Sequence, residues 1–105
     1  LTKNTELTIL SCGENQLTDL DVSKNALLKT LYCSDNQLTT LNVSGCTSLA
    51  ELLCDNNQLA TLDVSSCTSL TELYCVGNPN LKTIYKKKGQ KIRIEKPENT
   101  QIIEK

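Results

Sequence analysis

The six cysteines are the residues of this chain whose type and spacing offer the most chemistry. Thiols in even number and at regular spacing suggest a disulfide framework or a zinc site, and an activated thiol can act as a nucleophile. Nucleophilic catalysis needs a base beside the thiol, and His, the commonest base, is absent from the sequence. Glycine-rich phosphate-binding motifs are absent as well. These absences predict a protein that is not an enzyme and uses no cofactor.

A repeat of 21 residues positions four of these cysteines. Sliding the sequence by one repeat superposes four columns without exception: Leu7, Leu28, Leu49 and Leu70; Leu10, Leu31, Leu52 and Leu73; Cys12, Cys33, Cys54 and Cys75; and Asn15, Asn36, Asn57 and Asn78. Three further columns run through three copies: Leu17, Leu38 and Leu59; Leu20, Leu41 and Leu62; and Val22, Val43 and Val64. A repeat this short cannot bury an apolar side by itself, so the copies are predicted to stack into a solenoid at about 4.8 Å per layer.

Two short alternations of inward and outward residues recur in each repeat. The segment Leu10-Ser11-Cys12 predicts a short strand of one parallel sheet, and Leu20-Asp21-Val22 predicts an extended return path. No stretch shows helical spacing long enough for a stable helix. The sequence therefore predicts a mostly β solenoid.

The run Leu28-Lys29-Thr30-Leu31-Tyr32-Cys33-Ser34-Asp35-Asn36-Gln37-Leu38 resembles the leucine-rich-repeat pattern L-x-x-L-x-L-x-x-N/C-x-L. The resemblance covers residues 1 to about 84, and the short period with a second L-x-V segment is most similar to bacterial surface proteins of the internalin-like type. It implies a leucine-rich-repeat solenoid of the right-handed α/β-superhelix class, with a parallel concave sheet and extended convex segments. It also implies an extracellular or cell-surface location.

The repeats are predicted to fill residues 1–84 and a cap residues 85–105, because the period stops after an insertion at Asn78-Pro79-Asn80. Ile92 and Ile94 alternate with charged residues, and Pro97 and its neighbours separate them from Ile102-Ile103, which predicts a C-terminal β-hairpin cap. The chain opens inside a repeat, so we expect that a leader or earlier repeats have been removed and that the N-terminal edge can pair with a second molecule. The predicted units are a partial repeat at 1–6 and repeats starting at Leu7, Leu28, Leu49 and Leu70.

Stacking turns the cysteines into two inward columns. Parallel Cβ vectors from in-register strands fit the disulfide torsion of about 90° poorly, and ligands in a single line do not converge on a tetrahedral metal. We therefore predict no disulfide and no metal site, and we interpret all six as buried free thiols: Cys12, Cys33, Cys54, Cys75, Cys46 and Cys67. The asparagine column is predicted to bond backbone groups of adjacent layers.

Recognition by a solenoid depends on the outward side chains of its strands. The central outward column is Ser11, Tyr32, Leu53 and Tyr74, flanked by Ile9, Thr30, Glu51 and Glu72 on one side and by Gly13, Ser34, Asp55 and Val76 on the other. An aromatic and apolar centre with an acidic margin resembles the anchors and rim of a binding surface, although packing alone also favours Tyr, Ile and Val in strands. Glu51 and Glu72 lack an apolar pocket that would separate their pKa values for acid–base work. The predicted ligand-binding residues are Tyr32, Leu53, Tyr74, Glu51, Glu72, Asp55 and Val76.

Charge is divided unevenly along the chain. Residues 1–81 carry three basic and nine acidic side chains, a net charge of −6, and residues 82–105 carry eight and three, a net charge of +5. The basic end lacks interleaved aromatics beyond Tyr85, so we interpret it as a solubilising cap that does not bind nucleic acid. No run of 18 apolar residues exists, which predicts no membrane insertion.

Three functions remain after these exclusions. The first is a protein-interaction module of a bacterial secreted or surface protein that binds a protein partner through the concave sheet, with a basic partner surface matching the acidic repeats. The second is a structural spacer that presents other domains of a longer chain. The third is carbohydrate binding through Tyr32 and Tyr74, which would lie two layers apart at about 10 Å.

Overall fold

The computed structural model describes residues 6–105, and within this range the chain is a parallel β-solenoid without a helix. The strands are β1 (Ile9–Ser11), β2 (Asp19–Asp21), β3 (Thr30–Tyr32), β4 (Thr40–Asn42), β5 (Glu51–Leu53), β6 (Thr61–Asp63), β7 (Glu72–Tyr74), β8 (Thr83–Lys86), β9 (Arg93–Glu95) and β10 (Gln101–Glu104). The odd-numbered strands form one sheet in the order β1-β3-β5-β7-β9, here called the front sheet. The even-numbered strands follow the return path, paired as β2-β4 and as β10-β8-β6.

The period of the sequence sets the register of the front sheet. Leu10 pairs with Leu31, Leu31 with Leu52 and Leu52 with Leu73, so that each partner lies one repeat further along the chain. The side chains of Leu31, Leu52 and Leu73 are fully buried, as are those of Cys33, Cys54 and Cys75 in the next inward column. Leu, Val, Cys and Ile84 make up the buried hydrophobic core of the described residues, which confirms the predicted inward columns.

The first three return strands, β2, β4 and β6, end in turns that their own sequence specifies. The carboxylate of Asp21 and the amide oxygen of Asn42 accept hydrogen bonds from the backbone N–H two residues later, at 2.9 and 3.0 Å, and Asp63 repeats this contact at 2.9 Å. Asx turns of this kind reverse the chain with a side chain in place of a backbone partner. The recurrent D/N-V-S segment is therefore the device that turns the chain back toward the front sheet.

The buried asparagines connect neighbouring layers. The Asn57 side-chain amide donates to the carbonyls of Cys33 at 3.1 Å and Cys54 at 3.0 Å, one in the preceding layer and one in its own. Its oxygen accepts from the backbone N–H of Leu38 at 3.1 Å. Asn36 and Asn78 repeat the arrangement in their layers. These contacts form an asparagine ladder and confirm the role predicted for this column.

One backbone position in each of the first four layers adopts a left-handed conformation. Glu14, Asp35 and Asn56 have φ of 57°, 59° and 58°, and Gly77 has φ of 74°. The amides of the first three donate to backbone carbonyls of the next layer at 2.9 to 3.0 Å. At Gly77 a Cβ would lie 2.1 Å from the Asn56 Oδ1 atom, so glycine is required there for space as well as for its backbone conformation.

The predicted C-terminal β-hairpin is wrong. β9 pairs in parallel with β7 and β10 pairs in parallel with β8, so residues 93–104 extend both sheets by one further layer. The reason is that Ile94 lies one repeat after Leu73 and continues its inward column, while the backbone groups of β7 and β8 find partners in the added layer. The division at residue 84 remains a prediction, and residues 1–5 of the predicted partial repeat lie outside the described residues.

The added layer uses different polar residues in place of the repeat. The Gln90 side-chain amide donates to the carbonyls of Cys67 at 2.5 Å and Val64 at 3.4 Å. The buried Thr100 hydroxyl donates to the carbonyl of Leu81 at 2.8 Å. The contact of Gln90 with Val64 takes the place of the thiol contact that Cys67 makes with the Val43 carbonyl one layer earlier.

Candidate functional site

The outward face of the front sheet carries the predicted site. Register places Tyr32 beside Leu53 and Leu53 beside Tyr74, so the three side chains form a continuous strip across adjacent strands. Tyr32 is 37% exposed, and Leu53 and Tyr74 are half-buried. We call these three residues the apolar strip. The structure therefore brings together the three central residues that the sequence predicted.

A column of charged residues lies along one side of the apolar strip. Glu51 pairs with Glu72, and Glu72 pairs with Arg93 on the other side. The Tyr74 hydroxyl donates to Glu72 Oε1 at 2.8 Å. This bond, and the negative charge of Glu72, raise the pKa of Tyr74, so its hydroxyl stays a donor at neutral pH. Directly opposed like charges destabilise a sheet, and a cation placed at Glu51 and Glu72 would relieve that repulsion.

Asp55 and Val76 lie on the other side of the apolar strip. Asp55 Oδ1 accepts a hydrogen bond from the Val76 backbone N–H at 2.9 Å, and the Val76 side chain is 42% exposed. Partial burial raises the pKa of Asp55, the bond from Val76 opposes that change, and the negative charges of Asp35 and Glu95 add to it. The strip is thus bordered by acidic side chains on both sides.

Two residues of this face were missed by the sequence reasoning. Glu95 pairs with Tyr74, and Arg93 pairs with Glu72, because β9 joins the front sheet. The Arg93 Nε atom lies 3.9 Å from Glu95 Oε2, between exposed side chains. The signal was present in the spacing of 21 residues between Leu73 and Ile94. The alternation of Ile92 and Ile94 by itself predicts a strand of a hairpin just as well.

The cysteines lie inside the solenoid and not on this face. Cys33, Cys46, Cys54, Cys67 and Cys75 are buried, Cys12 is half-buried, and all six are free thiols in the structure. Burial raises the pKa of Cys33, Cys67 and Cys75 to about 12 and that of Cys46 to about 11.

Two buried thiols donate hydrogen bonds to backbone carbonyls of neighbouring layers. Cys33 Sγ donates to the carbonyl of Leu53 at 3.5 Å, and Cys46 Sγ donates to the carbonyl of Val22 at 3.2 Å. A protonated, buried sulfur is a poor nucleophile, because the thiolate is the reactive form. Among residues 6–105, no group of three or more Cys, Asp or Glu side chains is placed to hold a metal ion.

The basic C-terminal residues contact the return strands. Lys105 Nζ lies 2.6 Å from Asp63 Oδ2 and 5.0 Å from the centre of the Tyr85 ring, and Lys86 Nζ lies 3.5 Å from Glu104 Oε2. Lys87, Lys88 and Lys91 are exposed. Over the described range, the structure contains no helix long and apolar enough to cross a membrane.

Comparisons of the chain with protein-family models, with curated proteins and with solved structures found no match. The structure shows the fold as a parallel β-solenoid and does not assign it to a family. Membership of the leucine-rich-repeat family remains a prediction from the repeat.

Proposed function

We propose that this chain is a non-catalytic recognition module of leucine-rich-repeat type, which binds a protein partner through the outward face of the front sheet. In that family type the face would be the concave side, and the location would be a bacterial cell surface or the extracellular medium. The observation that carries the proposal is the apolar strip. Tyr32, Leu53 and Tyr74 occupy adjacent register positions and leave aromatic and aliphatic surface open to solvent.

The stacking of the solenoid interior does not dictate these three residue types, because their side chains lie on the outward face. Inward columns repeat Leu, Cys and Asn with little variation because each layer must fit the next, whereas the outward column changes from Ser11 to Tyr32 to Leu53 to Tyr74. Large aromatic side chains held on a rigid sheet give up little conformational entropy on binding and are enriched among the residues that dominate binding energy. The strip therefore has the composition and the rigidity of a set of anchors.

The acidic residues around the apolar strip indicate the charge of the partner. Glu51, Glu72 and Asp55 border the apolar strip, and the exposed carboxylates of Asp35 and Glu95 lie nearby. An acidic margin favours a partner with Lys or Arg side chains around an apolar centre, and it accelerates association through long-range attraction. We therefore infer that the partner is a basic protein surface or a basic extended segment.

The test is selection of a random peptide library displayed on phage against the immobilised chain, followed by measurement of the dissociation constants of the selected peptides. We expect peptides that combine Lys or Arg with aromatic or aliphatic residues. Replacing Tyr32, Leu53 and Tyr74 together by Ser is expected to weaken binding by at least about 30-fold, the loss typical of removing dominant anchors. The matched control replaces Tyr85 and Ile103, a half-buried aromatic and an exposed aliphatic of the return strands, by Ser.

Each outcome of this selection decides the proposal. Equal binding by the triple variant and the parent chain would contradict the site, and equal loss in the control variant would show that the effect is not local. A library without binders would favour the spacer function. A glycan array offers the third function its own test, since Tyr32 and Tyr74 lie two strands apart in the confirmed register. Glycan binding that depends on both tyrosines would replace a protein partner by a carbohydrate.

A further inference from the structure

The middle of the apolar strip is lower than its two ends. Tyr32 and Tyr74 lie on either side of Leu53 in the register of the front sheet, and a tyrosine side chain reaches further from the backbone than a leucine side chain. The half-buried Leu53 is therefore the floor of a gap that has a tyrosine on each side. We call the space above Leu53 and between the two tyrosines the tyrosine notch.

The width of the tyrosine notch suits a planar cation. Tyr32 and Tyr74 are two strands apart, about 10 Å at the usual strand spacing. A cation centred above Leu53 therefore lies about 5 Å from each tyrosine column, within the roughly 6 Å over which the face of an aromatic ring attracts a cation. A guanidinium suits this space better than an ammonium, because it is flat, weakly hydrated and able to stack on aromatic faces.

A hydrogen bond holds one side of the tyrosine notch in place. The Tyr74 hydroxyl donates to Glu72 Oε1 at 2.8 Å, and Glu72 lies two residues earlier on the same strand. The ring of Tyr74 therefore leans along its own strand and not across Leu53. The space above Leu53 stays open, and Tyr74 loses little further conformational freedom when a ligand enters.

Glu51 supplies a carboxylate at one end of the tyrosine notch. It lies two residues before Leu53 on β5, on the same face of the sheet and about 7 Å away along the strand. Its register neighbours are Thr30 and Glu72, neither of which is a cation. None of the ion pairs among residues 6–105 includes Glu51. A cationic group in the notch would therefore meet a carboxylate that no cation of the described chain neutralises.

We propose that the tyrosine notch binds the side chain of an arginine residue of the partner protein. The guanidinium lies between Tyr32 and Tyr74, its aliphatic stem covers Leu53, and its N–H groups donate to the carboxylate of Glu51. This assignment rests on the function proposed above for the apolar strip and makes it specific, because it states which side chain of a basic partner enters which position. Charge complementarity selects this occupant, since an uncharged side chain in the notch would leave the repulsion between Glu51 and Glu72 in place.

The test is a titration of the 105-residue chain with N-acetyl-arginine amide, followed through the backbone amide NMR signals of residues 51–55. N-acetyl-citrulline amide, which has nearly the shape of the arginine probe but no charge, is the matched probe at equal ionic strength. We expect saturable shifts with the arginine probe and a dissociation constant at least about 10-fold higher for the citrulline probe, because the charge-assisted bond and both cation–π contacts are lost. N-acetyl-lysine amide is expected to bind more weakly than the arginine probe.

Three variants test the parts of the tyrosine notch. Glu51→Gln is expected to weaken binding of the arginine probe by about 3- to 5-fold, and Tyr32→Leu by a similar factor. Leu53→Tyr fills the notch and is expected to abolish saturable binding, although it leaves the outward surface of the strip aromatic. Glu98→Gln, at an exposed position outside the front sheet, is the matched control and is expected to bind the arginine probe as the parent chain does.

The failure of this assignment is distinguishable from the failure of the proposed function. Equal affinities for the arginine and citrulline probes would overturn the arginine site, as would equal affinities for the arginine and lysine probes or undiminished binding by Leu53→Tyr. The proposed function would survive these results, because the peptide selection tests it separately. Selected peptides that bind the apolar strip without arginine would support the proposed function and contradict the arginine site. A library without binders would remove the protein partner and this assignment with it.

Discussion

Replacing Asn57 by Ala removes a side chain that joins two layers of the solenoid. The asparagine is 1% exposed, donates to the carbonyls of Cys33 and Cys54, and accepts from the backbone N–H of Leu38. Loss of the acceptor leaves the Leu38 N–H buried without its side-chain partner, which costs about 1 to 3 kcal/mol, and loss of two donated bonds adds about 1 kcal/mol or more. We therefore expect the free energy of unfolding to fall by about 3 kcal/mol.

Asn15 supplies the matched control because it occupies the same repeat position in the first layer. Its side chain is exposed and, among residues 6–105, donates within its own layer, to the carbonyls of Cys12 and Gly13 at 2.9 and 3.0 Å. Asn15→Ala is expected to cost about 0.5 to 1 kcal/mol. Urea unfolding followed by circular dichroism measures both variants, and thermal unfolding should separate them by roughly 4 to 8 °C for each kcal/mol of difference.

Asn57→Asp distinguishes hydrogen bonding from packing, since aspartate has nearly the same volume but cannot donate to the two carbonyls when ionised. We expect it to destabilise the chain at least as much as Asn57→Ala. If Asn57→Ala were no more destabilising than Asn15→Ala, the asparagine ladder would not be what couples the layers. If Asn57→Asp were tolerated at neutral pH, the donated bonds would carry no weight.

Three further predictions concern a turn, the thiols and a surface ion pair. Gly45→Ala should lower the free energy of unfolding by about 2 kcal/mol in urea, because the added Cβ would lie 2.0 Å from the Ser23 carbonyl oxygen. Iodoacetamide near pH 8 should modify half-buried Cys12 first, while the five buried thiols react only after unfolding; mass spectrometry counts the adducts. Desolvation raises the pKa of Asp63, but the hydrogen bonds from Lys105 and Ser65 outweigh it and lower the pKa in the folded chain. The ionised carboxylate therefore stabilises the fold above the ordinary pKa of 3.8, and this contribution is lost as pH falls through the lower pKa of the folded chain. Lys105→Ala should therefore cost about 0.5 kcal/mol at neutral pH and almost nothing near pH 2, measured by urea midpoints.

The opposite outcomes have defined meanings. An unchanged free energy of unfolding in Gly45→Ala would show that the turn can move away from Ser23 without loss of stability. Rapid labelling of all six thiols in the native chain would mean that the layers open without global unfolding. A Lys105→Ala effect that grows as the solution is acidified would reverse the sign argued for Asp63.

The sequence predicted the part of the fold that strict repetition specifies. The Leu10, Cys12 and Val22 columns gave the two alternating segments of each repeat, because a period of two in extended backbone separates inward from outward positions. The apolar strip followed from the same periodicity, since outward residues one repeat apart become neighbours.

The last layer escaped prediction because its framework residues change while its backbone continues. Asn80 inserts one residue, and Ile94 and Gln90 replace the Leu and Cys types used before. A layer whose backbone groups are bonded by different side chains cannot be found by searching the sequence for the same residue types at the same spacing. The left-handed position of the first four layers also escaped prediction, because Glu14 and Asp35 occupy it where glycine would have marked it.

The constant register of the front sheet makes the length of this protein adjustable in fixed steps. Leu31 pairs with Leu52 in the same way that Leu52 pairs with Leu73, so the layer between Leu27 and Leu49 could be excised and the chain rejoined without changing which residue faces inward. Every 21 residues gained or lost would change the span of the sheet by one strand spacing, about 4.8 Å. The length of the front sheet therefore changes in steps of one whole repeat. Adding or removing repeats would lengthen or shorten the outward surface and would leave the residue types of the interior unchanged.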